Sequence, residues 1–220
     1  MAYILCIETA TTNCSVSIVK NDETVAVIED NSKSYSHAER LHTSIDAVVK
    51  KSGITLCELS AVAVSKGPGS YTGLRIGVST AKGLCFSLDI PLISVSTLHA
   101  LASQVEQEEG FIVPMLDARR MEVYTAVFDT KYQLLHPVEA KVLDADAYNT
   151  YLDKVPVFFI GNGVTKWKIL CTHPKAIFIE DALPSAIQMG KIAYQKYVEK
   201  DFEDTAYFEP YYLKDFVAGK

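Results

Sequence analysis

Apolar and polar positions in the first thirty residues form three short segments that are typical of β-strands. Residues 3–7 are continuous and apolar, as in a strand that is buried on both faces, and polar residues follow them. Residues 14–20 alternate between apolar and polar side chains, and a third apolar segment begins at Thr24 after a turn at Asn21 and Asp22. This pattern predicts an antiparallel meander at the start of the chain.

Short apolar runs and helical periodicity then alternate up to about residue 105. Ser36 and Glu39 have the spacing of a capping box at a helix start, and Gly53 is placed to end that helix. The predicted elements are helices at 36–52, at 72–88 and around 98–105, and strands at 59–65 and 91–95. The alternation predicts an α/β fold in which helices pack on a mixed sheet.

The second half begins like the first, and its pattern then weakens. Residues 111–116 and 122–128 predict a second hairpin, which resembles the start of the chain. The further predicted elements are strands at 157–160 and 177–179 and a helix from about 184 to 200. We therefore expect a reduced copy of the first half, and a polar break at 107–110 places the domain boundary between 1–108 and 109–220.

Composition and charge limit the function classes that remain. Of the 220 residues, 49% are apolar, which is ample for a packed core, and the net charge of −6 argues against strong nucleic-acid binding by the chain alone. The five cysteines lack CxxC spacing, which is typical of a reducing compartment without a zinc site or a disulfide framework. There is no signal-like leader and no apolar run near the roughly 20 residues that span a bilayer, so we expect a soluble, cytoplasmic protein.

The sharpest local feature is the glycine-rich string KGPGSYTGLRIG at 66–77, which leaves a predicted strand and opens a predicted helix. Backbone N–H groups at such a helix start form an anion site, but the spacing is not that of a Walker A loop. Glu8 follows a buried strand, where a catalytic carboxylate, a Mg²⁺ ligand or a turn-forming carboxylate is expected. The weak candidates for nucleotide binding are Glu8, Gly67, Gly69 and Ser70, and tight strand–helix packing is the alternative for the glycines.

The histidines do not predict a metal site. His37 and His42 are five residues apart, which separates their side chains by about 140° around a helix. Zinc-binding pairs on a helix are four residues apart, and His99 stands alone in an apolar segment. No Ser-His-Asp order, GxSxG or HExxH motif occurs, so a peptidase is the function with the least support.

Arg119 and Arg120 occupy the predicted tip of the second hairpin. A guanidinium group binds phosphate and carboxylate in bidentate geometry, so the pair is a candidate for contact with an anion or an acidic partner. A solvated hairpin tip is the alternative.

Several motifs together resemble the bacterial TsaB family, also called YeaZ, over nearly the whole chain. They are IETAT at 7–11, GPGSYTGLRIG at 67–77, VSTL at 95–98, DAR at 117–119 with EVY at 122–124, and PYYLK at 210–214. The resemblance implies an actin-like ATPase (ASKHA, ribonuclease H-like) fold. In that fold, two subdomains with mixed sheets are flanked by helices, and here the second subdomain is expected to be reduced.

The resemblance also implies a function. TsaB-like proteins are non-catalytic scaffold subunits that help to form N6-threonylcarbamoyladenosine in ANN-reading tRNAs. The implied partners are a TsaD-like catalytic paralogue, a TsaE-like ATPase and a second copy when alone, with tRNA at most an indirect partner. No cofactor, metal or membrane is implied.

Two positions favour a non-catalytic role. The metal pair of the TsaD-like paralogue corresponds to Val95 and His99, so one ligand is missing, and its Ser-Gly-Gly turn corresponds to Asp117, Ala118 and Arg119. An independent ATPase or kinase that uses Glu8 and the Gly67 turn is the alternative function.

The resemblance places subunit pairing on the helices at 36–52 and 72–88. The expected interface residues are Leu41, Ile45, Val48, Thr72, Arg75, Ile76, Gly77, Thr80, Ala81 and Leu84. Small residues on the second helix would let a partner helix approach closely, although packing on the protein's own sheet needs the same residues.

Overall fold

The fold consists of two compact units. The structure, a computed structural model, describes residues 1–31 and 37–214. The first unit contains residues 1–100 together with the chain from Pro184 onward, and the second contains residues 101–183. The N-cap predicted at Ser36 lies outside the described residues.

The first unit is built on a five-stranded mixed sheet. Its strands are β1 (Tyr3–Glu8), β2 (Cys14–Lys20), β3 (Glu23–Asp30), β4 (Ala61–Gly67) and β5 (Leu92–Ser96). They lie in the order β3-β2-β1-β4-β5, with β1, β2 and β3 antiparallel and with β4 parallel to both β1 and β5. The predicted meander and the strand–helix alternation that follows it are both present.

Two long helices pack on one face of this sheet, where apolar residues of the strands and of the helices meet. The helices up to residue 102 are α1 (His37–Ser52), α2 (Tyr71–Leu88) and α3 (Thr97–Ala102), and a 3-10 turn spans Leu56–Glu58. Leu41 and Val48 of α1 and Ala81 of α2 join Leu5 and Ile7 of β1 in one buried cluster. The apolar stripes of α1 and α2 therefore face the protein's own sheet.

The second unit repeats the strand connectivity of the first. Its strands are β6 (Phe111–Asp117), β7 (Glu122–Asp129), β8 (Leu134–Val142), β9 (Val157–Gly161) and β10 (Ala176–Glu180), in the order β10-β9-β6-β7-β8. The central strand β6 is antiparallel to β7 and parallel to β9, as β1 is to β2 and β4. The unit is reduced in its helices, α4 (Asn149–Leu152) and α5 (Val164–Lys168), and not in its number of strands.

The last helix, α6 (Ala186–Glu199), returns to the first unit. Met189 and Ala193 pack against Ile4 and Cys6, on the face of the first sheet opposite α1 and α2. The helix start is held by β2, because Ser15 Oγ accepts a hydrogen bond from Ala186 N at 2.9 Å and Ser17 Oγ donates to Ala186 O at 2.8 Å.

This division differs from the predicted boundary at 108 and 109. The helix at the end of the chain was expected to belong to the second subdomain, but it completes the first unit. The apolar stripe of α6 predicts a buried face, yet it does not say which sheet buries that face.

Candidate functional site: the α1–α2 groove and the glycine-rich turn

The glycine-rich turn connects β4 to α2 and is fastened to the turn that follows β1. Ser70 is the N-cap of α2, and its Oγ accepts a hydrogen bond from Gly73 N. Ser70 N donates to Ala10 O at 2.7 Å, and Thr9 Oγ1 donates to Gly73 O at 2.8 Å. The first turn of α2 is therefore already bonded to the protein's own backbone.

Three glycines of this motif are needed for that close approach. A Cβ at Gly69 would lie 2.5 Å from Ala10 O, one at Gly73 would lie 2.1 Å from Thr9 O, and one at Gly77 would lie 2.3 Å from Thr9 Oγ1. Cβ atoms do not occur at such distances, so no side chain fits between α2 and residues 9–10. The geometry favours the tight-packing interpretation of the motif.

Glu8 has the geometry of a turn-forming carboxyl group. It is fully buried, and its Oε1 accepts hydrogen bonds from Ala10 N at 2.6 Å and from Ser65 Oγ at 2.9 Å. Burial raises the pKa of Glu8 to about 7, and the hydrogen bonds from Ala10, Ser65 and Thr9 lower it by less. The carboxyl group thus holds the turn on which α2 rests.

An open groove lies between α1 and α2. Its volume is about 530 Å³, and Gly83 lies at its surface, with no atom within 4 Å of a Cβ built there. Phe86 stands close by on α2 and is 87% exposed. The lining residues are His42, Ile45, Asp46, Val49, Leu56, Ser79, Thr80, Gly83, Leu84 and Ser87.

The predicted interface residues divide between this exposed region and the core. Thr72 and Arg75 are exposed, Ile76 is half-buried, and Ile45, Thr80 and Leu84 line the groove. The remaining four, which pack inward and present no side chain at the surface, are Leu41, Val48, Gly77 and Ala81.

The inward packing of these four residues has a simple physical reason. The apolar and small residues on the inner side of α1 and α2 pack on the sheet beneath them, and most of the groove lining comes from the neighbouring positions on the outer side. Sequence reasoning missed His42, Asp46 and Ser87, whereas Ser79 and Gly83 are among the small residues expected to let a partner helix approach α2. The spacing of the missed residues on the polar side of α1 and α2 is the signal that could have found them.

Arg119 and Arg120 lie at the turn between β6 and β7, and both are exposed. Their φ angles are +69° and +48°, and Arg119 N donates to Asp117 Oδ1 at 2.6 Å. Lys166 Nζ also contacts Asp117 Oδ1, at 2.7 Å. Contact of the arginine pair with an anion or a partner stays a prediction.

The histidines occupy three different environments. His37 is buried with its Nε2 2.7 Å from Thr11 O, whereas His42 is exposed at the groove. Burial lowers the pKa of His99, and the charge of Lys196 lowers it further. Within residues 1–31 and 37–214, no three His, Cys, Asp or Glu side chains form a group that could hold a metal ion.

The fold defines the class of protein. An activator of 2-hydroxyisocaproyl-CoA dehydratase from Clostridium difficile, solved with bound ADPNP, aligns with 92% of this chain and 98% of its own at a TM-score of 0.50 and 12% identity. The chain has the actin-like ATPase (ASKHA) fold, with two mixed sheets flanked by helices.

Closer relatives define the family. The family model described as TsaD, tRNA N6-adenosine threonylcarbamoyltransferase, matches residues 28–218. The tRNA threonylcarbamoyladenosine biosynthesis protein TsaB of Bacillus subtilis is 36% identical over 75% of this chain and 73% of its own. YeaZ from Pseudomonas aeruginosa aligns with 97% of this chain and 100% of its own at 25% identity and a TM-score of 0.86. This chain belongs to the TsaB (YeaZ) family, as its motifs predicted.

In the part of the chain that the structure describes, no helix combines the length and the apolar character that crossing a bilayer requires.

The two environments of the α2 glycines predict opposite effects of the same substitution. We expect Gly83→Ala to raise the free energy of unfolding by about 1 kcal/mol, because alanine favours the helix and its Cβ meets open space. We expect Gly73→Ala to lower it by about 1–3 kcal/mol, because the Cβ collides with the Thr9 backbone. Urea unfolding of both variants measures the difference, and shifts of equal sign would refute the packing role of Gly73.

The buried Glu8 predicts a loss of stability as pH rises. Its pKa of about 7 in the folded protein exceeds the ordinary value of 4.5, so this contribution is complete below about pH 4.5 and is lost as pH rises through 7. Between pH 5 and 8 the free energy of unfolding should fall by about 2–3 kcal/mol more in the wild type than in Glu8→Gln. Urea unfolding at both pH values tests this, and parallel pH profiles would show that Glu8 does not titrate in this range.

Proposed function

We propose that this chain is a non-catalytic scaffold subunit of the complex that forms N6-threonylcarbamoyladenosine in ANN-reading tRNAs. It pairs with a TsaD-like catalytic paralogue through the α1–α2 groove and recruits a TsaE-like ATPase to the pair. When alone it self-associates through the same face, and tRNA contacts it at most indirectly. Membership of the TsaB family supports the pathway, and the groove is the observation that supports the mode of action.

The groove has the features of a site for a helix pair of another subunit. Small side chains at Ser79, Gly83 and Ser87 recur every four residues along α2, so a partner helix can approach the backbone closely. Leu56 in the lining and the neighbouring Phe86 add exposed apolar area. Aromatic side chains are enriched in protein interfaces relative to the rest of the surface.

A scaffold role agrees with the chemistry of the remaining candidate positions. Two of the N–H groups at the start of α2 already have acceptors within the protein: Ser70 N donates to Ala10 O, and Gly73 N donates to Ser70 Oγ. Side chains stand at Ala118 and Arg119, where a paralogue with glycines would admit a phosphate close to the backbone. These positions support contact functions more than nucleotide chemistry.

Filling the groove should prevent pairing while leaving the fold intact. In Gly83→Trp the indole occupies open space, so the variant should be at least as stable as the wild type but bind the TsaD-like paralogue of the same genome at least 100-fold more weakly. Gln195→Trp on α6 is the matched control, because it adds the same side chain at an exposed position on the opposite face of the sheet. Calorimetric titration of the purified subunits gives both affinities.

Two results of that titration would contradict the proposal. Wild-type affinity of Gly83→Trp would exclude the groove as the pairing site, and equal weakening by Gln195→Trp would show that the effect is not local.

The alternative ATPase or kinase function predicts a different calorimetric result. We expect the isolated chain to show no micromolar binding of Mg-ATP, because the start of α2 is closed by Thr9 and Ala10. Micromolar binding that Glu8→Gln or Ser70→Ala abolishes would revive the alternative.

A further inference from the structure

The segment after α6 extends the first unit along the free edge of β5. Glu203 N donates a hydrogen bond to Leu92 O at 2.9 Å, which forms an isolated antiparallel bridge. Ser94 Oγ donates to Glu203 Oε1 at 2.5 Å, and Lys196 Nζ pairs with Asp201 Oδ2 at 3.1 Å. We call residues 201–213 the tail. The first part of the tail covers the edge of β5.

The tail then runs along α2. Lys82 Nζ donates to Ala206 O at 3.0 Å and to Phe208 O at 3.1 Å. Further on, Tyr211 N donates to Lys66 O at 2.7 Å. The tail is therefore fixed both to the middle of α2 and to the glycine-rich turn that starts the helix.

This placement brings the side chains of Tyr212, Tyr71 and Arg75 into a row, which we call the Arg75 row. The Tyr212 ring packs against the Tyr71 ring with centroids 4.7 Å apart. The Arg75 guanidinium lies 5.1 Å from the centroid of the Tyr71 ring, and its Nη1 donates to Tyr71 Oη at 3.1 Å. Cation–π contact and the hydrogen bond restrict the rotamers of Arg75, which lowers the entropy that binding a partner would cost.

Arg75 nevertheless keeps unused hydrogen-bonding capacity. It is exposed, and no carboxylate of residues 1–31 or 37–214 forms an ion pair with it. Ser79, one helical turn further along α2, lines the groove. The row therefore lies beside the face through which pairing is proposed.

The charges around the row favour a small anion over a polyanion. Burial raises the pKa of the Tyr212 hydroxyl, the charge of Arg75 lowers it, and Tyr71 and Glu209 raise it. The negative charge of Glu209 and the positive charge of Arg75 therefore both act on the Tyr212 ring. A nucleic acid needs several cations in a row, whereas one fixed guanidinium suits one carboxylate. The net charge of −6 points the same way.

We propose that Arg75, held on the Tyr71–Tyr212 pair, is a preformed recognition site for a carboxylate side chain of the protein that docks on α2. The inference rests on the proposed function, since it names the chemistry of one contact in that interface. Arg75 makes the contact, and Tyr212 acts as a positioning residue, so the tail takes part in pairing without belonging to α1 or α2.

The test measures the affinity of the full chain for the TsaD-like paralogue by calorimetry at two salt concentrations. Arg75→Gln should raise Kd about 10- to 100-fold and flatten its salt dependence, and Arg75→Lys should recover only part of the affinity, because lysine lacks the planar fork. Lys191→Gln, which removes one exposed charge on α6, is the matched control and should bind like the wild type.

Tyr212→Leu tests the positioning role. It should raise Kd about 3- to 10-fold in the wild type and have no effect in the Arg75→Gln background, because the tyrosine acts through the arginine. Additive effects would overturn the role of Tyr212, and wild-type affinity of Arg75→Gln would overturn the whole inference.

Failure of the carboxylate site and failure of the proposed function give different results. If Gly83→Trp prevents pairing but Arg75→Gln does not, the proposed function stands and the carboxylate site at Arg75 is wrong. If the wild type does not bind the paralogue at all, both proposals are wrong. Filter binding with tRNA is the last part of the test. If the wild type retains tRNA and Arg75→Gln does not, while both bind the paralogue with the same affinity, Arg75 binds phosphate and the proposed carboxylate site is wrong.

Discussion

Helix α2 lies so close to the turn after β1 that no side chain fits between them. Thr9 and Ala10 lie against Gly69 just before the helix and against Gly73 and Gly77 within it, and two hydrogen bonds join the two segments within this contact. Because the turn is held from below by the buried carboxyl group of Glu8, the central strand, the turn and the helix form one rigid layer. This layer fixes the position of the exposed side of α2, which contains the groove and the row formed by Arg75, Tyr71 and Tyr212.

The same constraint explains why nucleotide chemistry and docking are alternatives here. A phosphate needs free N–H groups at the helix start, but in this chain Ser70 N donates to Ala10 O and Gly73 N donates to the cap, Ser70 Oγ. The glycines that would admit a ligand in a Walker-type loop instead admit the protein's own turn. The exposed side of α2, which borders the groove, is therefore the part of this helix that remains open to a partner.

The sequence pattern predicted most of the fold because the buried strands and the two long helices have strong periodicities. It did not predict β8, since the exposed Leu134, Leu135 and Val142 at this sheet edge give no clean alternation. It also could not assign α6 to a sheet, because an apolar stripe shows that one side of a helix is buried but not which sheet buries it. At the candidate site, the helices it named are the two that border the groove, but four of the residues it named on them are buried against the sheet. Leu41 and Val48 are apolar because they pack in the core, whereas six of the ten residues that line the groove are polar or glycine and resemble ordinary surface residues.

The return of α6 to the first sheet has a consequence for the order in which the chain can fold during synthesis. The second unit is one continuous segment, so it can form as soon as residue 183 has left the ribosome. The first unit is discontinuous, and the face of its sheet that contains Ile4 and Cys6 stays uncovered until α6 has been made. The half of the protein that is translated first is therefore completed last, and a chain that stops early exposes an apolar sheet face to aggregation or to chaperones.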